Sequence, residues 1–289
     1  MTYPNAIFGD NQFLGVNHAN QKKAYDLHDK FKDTDEILKV LNSAYEYGVR
    51  DFMFTTHDRY NLVFEEIARS NLFSEMYYTP CIPYAHKYWG MLSEKGMVGM
   101  LTSTISQVKK RNLFGLLALL KGDTKGITSL LTEIEIFMCK GLPIRGVFLQ
   151  NLAFDLLMAF ELYSIIEDFS YSIERKFNCH AGFITMNHSR AVEVLCGKLE
   201  LEKPWICANY NKTGFRMNPT QHDCNLSFAS KKSHNIAMSV FASGNINPTD
   251  ALEFVVSQMD DGGIDSILFG SSNPRNIEKN FKTINKKYT

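Results

Sequence analysis

The chain has 289 residues, of which 45% are apolar and 21% are charged, and its 31 Lys and Arg residues balance 31 Asp and Glu residues. This composition excludes a disordered chain, and the length suits two ordinary domains or one large α/β barrel. There is no net positive charge and no basic run longer than Lys109–Arg111. We therefore expect neither nucleic acid nor a membrane surface as a partner, but a small molecule.

The cysteines and the N-terminal segment indicate the cellular compartment. The six cysteines are scattered without a C-x-x-C pair, as is typical of reduced, mostly buried thiols. Residues 1–5 do not form a basic segment followed by an apolar one, and the most apolar stretch, Leu113–Leu120, is too short to cross a bilayer. These features predict a cytoplasmic protein.

Short β-like runs alternate with helix-period stretches along the whole chain. This alternation predicts βα units around a parallel sheet, and eight runs are the number that a (β/α)8 TIM barrel needs. The predicted strands are Gln12–Val16, Arg50–Thr55, Tyr77–Ile82, Arg145–Gln150, Cys179–Ile184, Trp205–Tyr210, Ile236–Phe241 and Asp265–Phe269.

Capping residues mark two of the helices. Asp33 or Thr34 is the predicted N-cap of the first helix and Gly48 its end, while the seventh helix is predicted to start at Pro248 after the cap Asn247.

The connection between the third and fourth runs is unusually long. Residues 91–142 predict a helical insertion there, which could cover the barrel mouth, meet a second subunit of a homo-oligomer, or form an extended outer helix. No linker-like tract divides the chain, so we expect residues 1–289 to form one domain.

The loops after the strands of a TIM barrel form its functional site. Here they carry amides, hydroxyls and four of the eight histidines, which suggests either a metal site or hydrogen bonding to a polar substrate. The H-x-H pattern or the several carboxylates of a metal site are missing, so we expect no metal. The candidate substrate-binding residues are Asn17, His18, His86, Asn151 and Asn211.

Two lysines follow predicted strands. Lys87 follows the third run and Lys212 the sixth. A lysine that is desolvated in a barrel mouth can donate a proton, lower the pKa of a neighbouring tyrosine or form a Schiff base. The alternative for each is a solvated loop charge.

The C-terminal part resembles a known family. Residues 263–281, GIDSILFGSSNPRNIEKNF, are similar to the last strand and cofactor-phosphate loop of aldo-keto reductases. Small residues between a strand and a helix present N–H groups and hydroxyls to a phosphate. Tyr210 is similar to the family's tyrosine that packs on the nicotinamide. The resemblance implies NADP or NAD as cofactor, bound by Thr185, Tyr210, Gly270, Ser271, Ser272, Asn276 and Asn280.

The family's catalytic set is a tyrosine, a lysine, an aspartate and a histidine. Tyr60 lies near the position of the tyrosine and Lys87 near that of the lysine, whereas Met53 or Phe54 replaces the aspartate and Gln150 the histidine. The resemblance therefore implies that Tyr60 and Lys87 lie together in the mouth, with His57 and Gln150 nearby.

Within that cluster a lysine charge would lower the pKa of Tyr60. Without the family's aspartate, Lys87 would lose its proton more easily, or it would pair with another acid such as Asp58 or Asp10.

Three functions stay open. The first is an NAD(P)-dependent oxidoreductase of small carbonyl or sugar-type, possibly phosphorylated, substrates, in which Tyr60 donates the proton. The second is a cofactor-independent lyase, isomerase or epimerase that keeps the phosphate loop for its substrate and uses Lys212 or Lys87 with His57. The third is a non-catalytic subunit resembling the β-subunits of potassium channels.

Overall fold

Eight parallel strands form a closed barrel in the order of the sequence. The computed structural model describes residues 3–16, 21–83 and 124–286. The strands are β1 (Ala6–Phe8), β2 (Asp51–Thr55), β3 (Tyr77–Ile82), β4 (Gly146–Leu149), β5 (His180–Thr185), β6 (Trp205–Asn209), β7 (His234–Met238) and β8 (Ser266–Phe269). Pairing of β1 with β8 closes the barrel. The predicted (β/α)8 TIM-barrel fold is confirmed.

Helices connect the strands. They are α1 (Gln21–Lys30), α2 (Thr34–Glu46), α3 (Tyr60–Ser70), α4 (Thr124–Ile136), α5 (Asn151–Ala159), α6 (Tyr163–Lys176), α7 (His188–Val192, continued by a π-helical turn Glu193–Lys198), α8 (Gln221–Ala229), α9 (Pro248–Asp260) and α10 (Pro274–Asn285). No helix in these described parts is long and apolar enough to cross a membrane.

The two predicted N-caps are confirmed, whereas the C-cap of α2 is Tyr47, one residue before the predicted Gly48. The Asp33 carboxylate accepts a hydrogen bond from the main-chain N–H of Asp35 at 2.9 Å, and Gly48 just after α2 has a φ of +101°. The Asn247 side chain accepts one from the N–H of Thr249 at 2.9 Å, with Pro248 as the first residue of α9.

The predicted position of the first strand, Gln12–Val16, is wrong. That segment is a turn, in which the N–H of Phe13 donates to the carbonyl of Asp10 at 2.8 Å, and β1 lies earlier. An aromatic residue stands at position 13 because its ring packs against the rings of Phe31 and Phe52, and not because the segment belongs to the sheet. The other seven predicted runs overlap observed strands. As a result, Asp10 and Gln12 stand at the carboxyl end of β1.

Part of the predicted insertion is described by the structure. The helix α4 lies within it and docks on α6, where the Lys176 ammonium donates to the Ser129 hydroxyl at 2.8 Å and pairs with Glu133. The buried Glu135 accepts a hydrogen bond from the Thr56 hydroxyl beyond β2. The apolar stretch Leu113–Leu120 lies outside the described residues.

Large side chains fill the barrel interior below the mouth. Those of Met53, Cys81, Phe148, Trp205, Cys207 and Ile236 form a buried cluster. Phe148 has room because its neighbour across the β4–β5 ladder is Gly182.

Replacement of Gly182 tests this packing. A Cβ at residue 182 would lie 2.3 Å from the Phe148 ring. We expect Gly182→Ala to lower the free energy of unfolding by about 1–3 kcal/mol in urea denaturation, the usual range for overpacking. Gly197→Ala is the control, since a Cβ there has no neighbour within 4 Å. Equal stability of the two variants would contradict this account.

Candidate active site

A cavity of about 250 Å³ opens at the carboxyl ends of the strands. Its polar lining residues are Asp10, Asn11, Gln12, Thr55, Gln150, Asn151 and Ser239. Its less polar lining residues are Met53, Cys81, Ile184, Met238, Leu268 and Phe269. Because TIM-barrel sites lie at this end and the volume suits a small molecule, we take this mouth cavity as the candidate active site.

Asp10 is the carboxylic acid in the described cavity lining. Only 8% of the residue is exposed, and its Oδ2 accepts hydrogen bonds from the main-chain N–H of Thr55 at 2.8 Å and from the Tyr60 hydroxyl at 3.2 Å. Burial raises the pKa of Asp10 to about 6, although both hydrogen bonds favour the carboxylate. Such a carboxyl group can hold or release a proton near neutral pH.

Thr55 connects Asp10 with Gln150. Its main-chain N–H binds Asp10, and its hydroxyl oxygen accepts a hydrogen bond from the Gln150 Nε2 at 3.2 Å. The same Nε2 also donates to the carbonyl of Cys81 at 3.3 Å. One residue at the end of β2 thus fixes an acid and an amide in the cavity wall.

The loop after β8 contains main-chain N–H groups that have no acceptor among the described residues, and it leads into α10, whose N-terminus is capped. Gly270 lines the cavity, and a Cβ at this residue would lie 2.3 Å from Oε1 of Gln12. The Asn273 side chain accepts a hydrogen bond from the N–H of Arg275 at 3.0 Å, so it caps α10. In the described residues the main-chain N–H groups of Ser271 and Ser272 have no acceptor. These two groups are available to an anion.

Comparison with known proteins identifies the fold. No protein-family model matches the sequence, and no curated protein matches it. Among solved structures, a Pseudomonas aeruginosa protein described as an aldo-keto reductase is 14% identical, with a TM-score of 0.60 over 99% of this chain and 91% of that chain. An aldo/keto reductase from Brucella melitensis is 13% identical, with a TM-score of 0.54 over 97% and 88%. The chain has the aldo-keto reductase fold.

A third similar structure contains a nucleotide. It is a mutant of Gox0644 in complex with NADPH, 10% identical, with a TM-score of 0.52 over 96% of this chain and 83% of that chain.

Tyr60, which the aldo-keto reductase resemblance suggested as proton donor, is fully buried at the start of α3. Its ring packs against Phe54 and Phe64, and its hydroxyl reaches Asp10 rather than the cavity. Burial and the adjacent Asp10 carboxylate raise the pKa of Tyr60, in contrast to the expected lowering. The tyrosine therefore lies behind Asp10, one hydrogen bond away from the cavity lining.

Other members of the expected catalytic set are spread apart. Gln150 lines the cavity together with Asn151, whereas His57 is half-buried and its Nδ1 accepts a hydrogen bond from the N–H of Arg59 at 3.0 Å. Lys212 is exposed and does not belong to the described cavity lining. The predicted residues Asn17, His18, His86 and Lys87 lie outside the described residues.

The residues expected at the nicotinamide have internal partners. The Tyr210 ring, 3% exposed, packs against Phe228, and its hydroxyl donates to Gln258 at 3.2 Å. The buried Thr185 hydroxyl donates to Asp155 at 2.6 Å. Asn211, expected to bind substrate, instead orders its own loop through the main chain of Phe215.

The two asparagines expected on the nucleotide side differ in exposure. Asn276 is exposed in the first turn of α10, whereas Asn280 is buried one turn later. Among the described residues no group of three His, Cys, Asp or Glu side chains could hold a metal ion.

Asp10 is absent from the predicted site residues because the predicted first strand, Gln12–Val16, begins after it in the sequence. The signal was present: Ala6–Phe8 is a short apolar run followed by Gly9 and Asp10. The common rule that site residues follow strands would then have selected Asp10.

Proposed function

We propose that this chain is an oxidoreductase that acts on a small carbonyl or sugar-type compound in the mouth cavity and uses NADP(H) or NAD(H). The observation that carries the proposal is a pair of main-chain N–H groups, those of Ser271 and Ser272, which have no acceptor among the described residues and lie beside a cavity in a fold shared with a protein solved in complex with NADPH.

The loop fits the phosphates of such a nucleotide. Pro274 has no N–H and that of Arg275 is held by Asn273, so the donors come from Ser271 and Ser272. Oriented backbone N–H groups of this kind bind phosphate oxygens. The nicotinamide ring, when bound, supplies or accepts a hydride. Thr185 and Tyr210 do not support its binding, because their hydroxyl groups and the Tyr210 ring are engaged inside the protein.

A thermal shift experiment tests the proposal. NADPH or NADH at 100 times its dissociation constant should stabilise the protein by about 2.7 kcal/mol, which raises the melting temperature. Ser272→Asp should weaken this binding at least ~10-fold, because an added carboxylate repels the phosphates. Ser230→Asp, an exposed serine just after α8, is the control with the same charge change. No shift of the unsubstituted protein with either nucleotide would contradict the proposal.

A second candidate function needs no nucleotide. It is favoured because the hydroxyl groups of Thr185 and Tyr210, expected at a nicotinamide, bind Asp155 and Gln258 inside the protein instead. In this alternative the loop after β8 binds a phosphorylated or sugar-like substrate, and lyase, isomerase or epimerase chemistry proceeds without a nucleotide. The exposed position of Lys212, away from the described cavity lining, does not support a Schiff base at this residue. Borohydride trapping of a Schiff base, without any nucleotide-dependent thermal shift, would favour the second candidate with another lysine.

A further inference from the structure

The strongest unassigned feature of the mouth cavity is a buried carboxylic acid that has no charged partner in the part of the chain that the structure describes. Asp10 forms no ion pair in the described parts of the chain, and no Lys, Arg or His is among the described cavity-lining residues. An ionised carboxylate that is buried without a cation is costly. A structural role alone gives no reason for placing an acid there, since an amide could accept the same two hydrogen bonds.

We propose that Asp10 is the catalytic acid and base of the mouth cavity and that Tyr60 is a positioning residue that acts through it. The inference rests on the proposed function for the identity of the reaction. It differs from the expectation that Tyr60 itself donates the proton.

The geometry assigns the two roles. Asp10 lines the cavity, whereas Tyr60 is 0% exposed and reaches the cavity wall only through its 3.2 Å hydrogen bond to Asp10 Oδ2. The N–H of Thr55 donates to the same oxygen, so two hydrogen bonds hold Oδ2 of Asp10. Two donors on one oxygen hold the carboxyl group in a single orientation, as a proton-transfer group requires.

The proton balance of the step is simple. Reduction of a carbonyl group would need a hydride, which a reduced nicotinamide nucleotide would supply when bound; as the carbonyl carbon gains that electron pair, the π pair of the C=O bond moves to oxygen. The proton on that oxygen comes from the protonated Asp10, which becomes a carboxylate and is reprotonated from solvent. In the reverse reaction the Asp10 carboxylate takes the proton of the substrate hydroxyl, and an oxidised nicotinamide nucleotide would, when bound, accept the hydride that the adjacent C–H bond loses.

The surroundings allow Asp10 to change its protonation state near neutral pH. Burial raises its pKa to about 6. The titratable groups beside it are Tyr60 from α3 and the Cys81 thiol from β3, whose own pKa values burial and Asp10 raise. Both stay neutral near pH 6, so the carboxyl group titrates without a coupled neighbour.

The first arm of the test measures the Asp10 carboxyl group without any substrate. In protein labelled with 13C at the aspartate carboxyl carbons, the Asp10 signal is the one that Asp10→Asn removes. We expect a titration midpoint near 6 that moves to higher pH in Tyr60→Phe, because that variant loses a donor to the carboxylate. Tyr78→Phe is the matched control, since it removes a buried tyrosine hydroxyl that has no hydrogen-bond partner among the described residues. A midpoint at or below about 4 in the unsubstituted protein would overturn the role of Asp10.

The second arm measures NADPH consumption with 4-nitrobenzaldehyde as the probe carbonyl between pH 5 and 9. Asp10→Asn should lower kcat at least ~100-fold and abolish the change of kcat with pH near pH 6. Asp260→Asn, at the C-terminal end of α9, should change neither kcat nor its dependence on pH. Tyr60→Phe should keep kcat within ~10-fold of the unsubstituted protein and should shift the change of kcat near pH 6 to higher pH, as in the first arm. A variant Asp10→Asn that stays active while Tyr60→Phe is inactive would reverse the two roles.

The two arms separate the inference from the proposed function. An Asp10 signal with a midpoint near 6, in a protein that neither binds nor consumes NADPH, supports the acid–base role of Asp10 and rejects the oxidoreductase. Melting curves of all variants establish that each is folded.

Discussion

Asp10→Asn is expected to raise the free energy of unfolding at pH 8 by up to about 3 kcal/mol, although it removes the proposed catalytic group. The pKa of Asp10 is about 6 in the folded chain against an ordinary value of 3.8. A tenfold difference in proton affinity between the folded and the unfolded chain corresponds to about 1.4 kcal/mol. The folded state binds the proton more tightly, so the stability contributed by the protonated group is present below about pH 4 and is lost as the pH rises through 6.

Asparagine abolishes this loss because it does not ionise. Urea denaturation at pH 4 and pH 8 measures the difference between the two proteins, which should be small at pH 4 and largest at pH 8. Asp260→Asn, at an exposed carboxylate, should show no such pattern. If Asp10→Asn is instead the less stable protein at pH 8, the Asp10 carboxylate stabilises the fold. Its presence would then need no catalytic explanation.

Arg145→Met is expected to lower the free energy of unfolding by about 3–5 kcal/mol at pH 8, the cost of leaving a buried charge without its partner. The Arg145 guanidinium pairs with both oxygens of Asp51, which is 0% exposed at the start of β2, and it stacks on the Tyr77 ring at 4.0 Å. Burial raises the pKa of Asp51 to about 6 even with Arg145 present.

Without the guanidinium, the pKa of Asp51 rises further, so at pH 5 the carboxyl group is protonated and the loss of stability should be smaller. Urea denaturation at both pH values measures this difference. Arg69→Met is the control, because its pair with Glu66 lies at the surface, where solvent screening leaves an ion pair little effect on stability. Losses of equal size for Arg145→Met and Arg69→Met would show that Asp51 is not the cause.

Periodicity predicts most of the barrel, because buried parallel strands are continuous apolar runs and helices have capping residues at their ends. It failed at β1, which has only three residues, while the following turn contains the buried Phe13. A turn whose aromatic side chain enters the core cannot be distinguished from a strand by hydropathy alone. That single error moved the expected site from Asp10 to Asn17 and His18.

The sequence predicts which residues follow the strands better than it predicts where their side chains point. Gln150, Asn151 and Gly270 line the cavity because they directly follow strands, which the sequence indicates. The buried position of Tyr60 also had a signal, since Tyr60, Val63, Phe64 and Ile67 have the spacing of one helix face. By contrast, the hydrogen bonds that connect Thr55 with Asp10 and Gln150 join residues at the ends of three different strands, far apart in the sequence, and have no local pattern.

The two hydrogen bonds that the Gln150 amide donates determine which atoms of a ligand this wall can recognise. An amide nitrogen carries two hydrogens, and both are directed at the protein, towards Thr55 and the carbonyl of Cys81. The amide therefore offers a ligand only the lone pairs of Oε1. A hydroxyl or amine hydrogen can bind there, whereas an ether or ester oxygen at the same point meets another acceptor. Selectivity on this side of the cavity thus depends on where the ligand carries hydrogens rather than on its overall shape, and methylation of the contacting hydroxyl would abolish recognition.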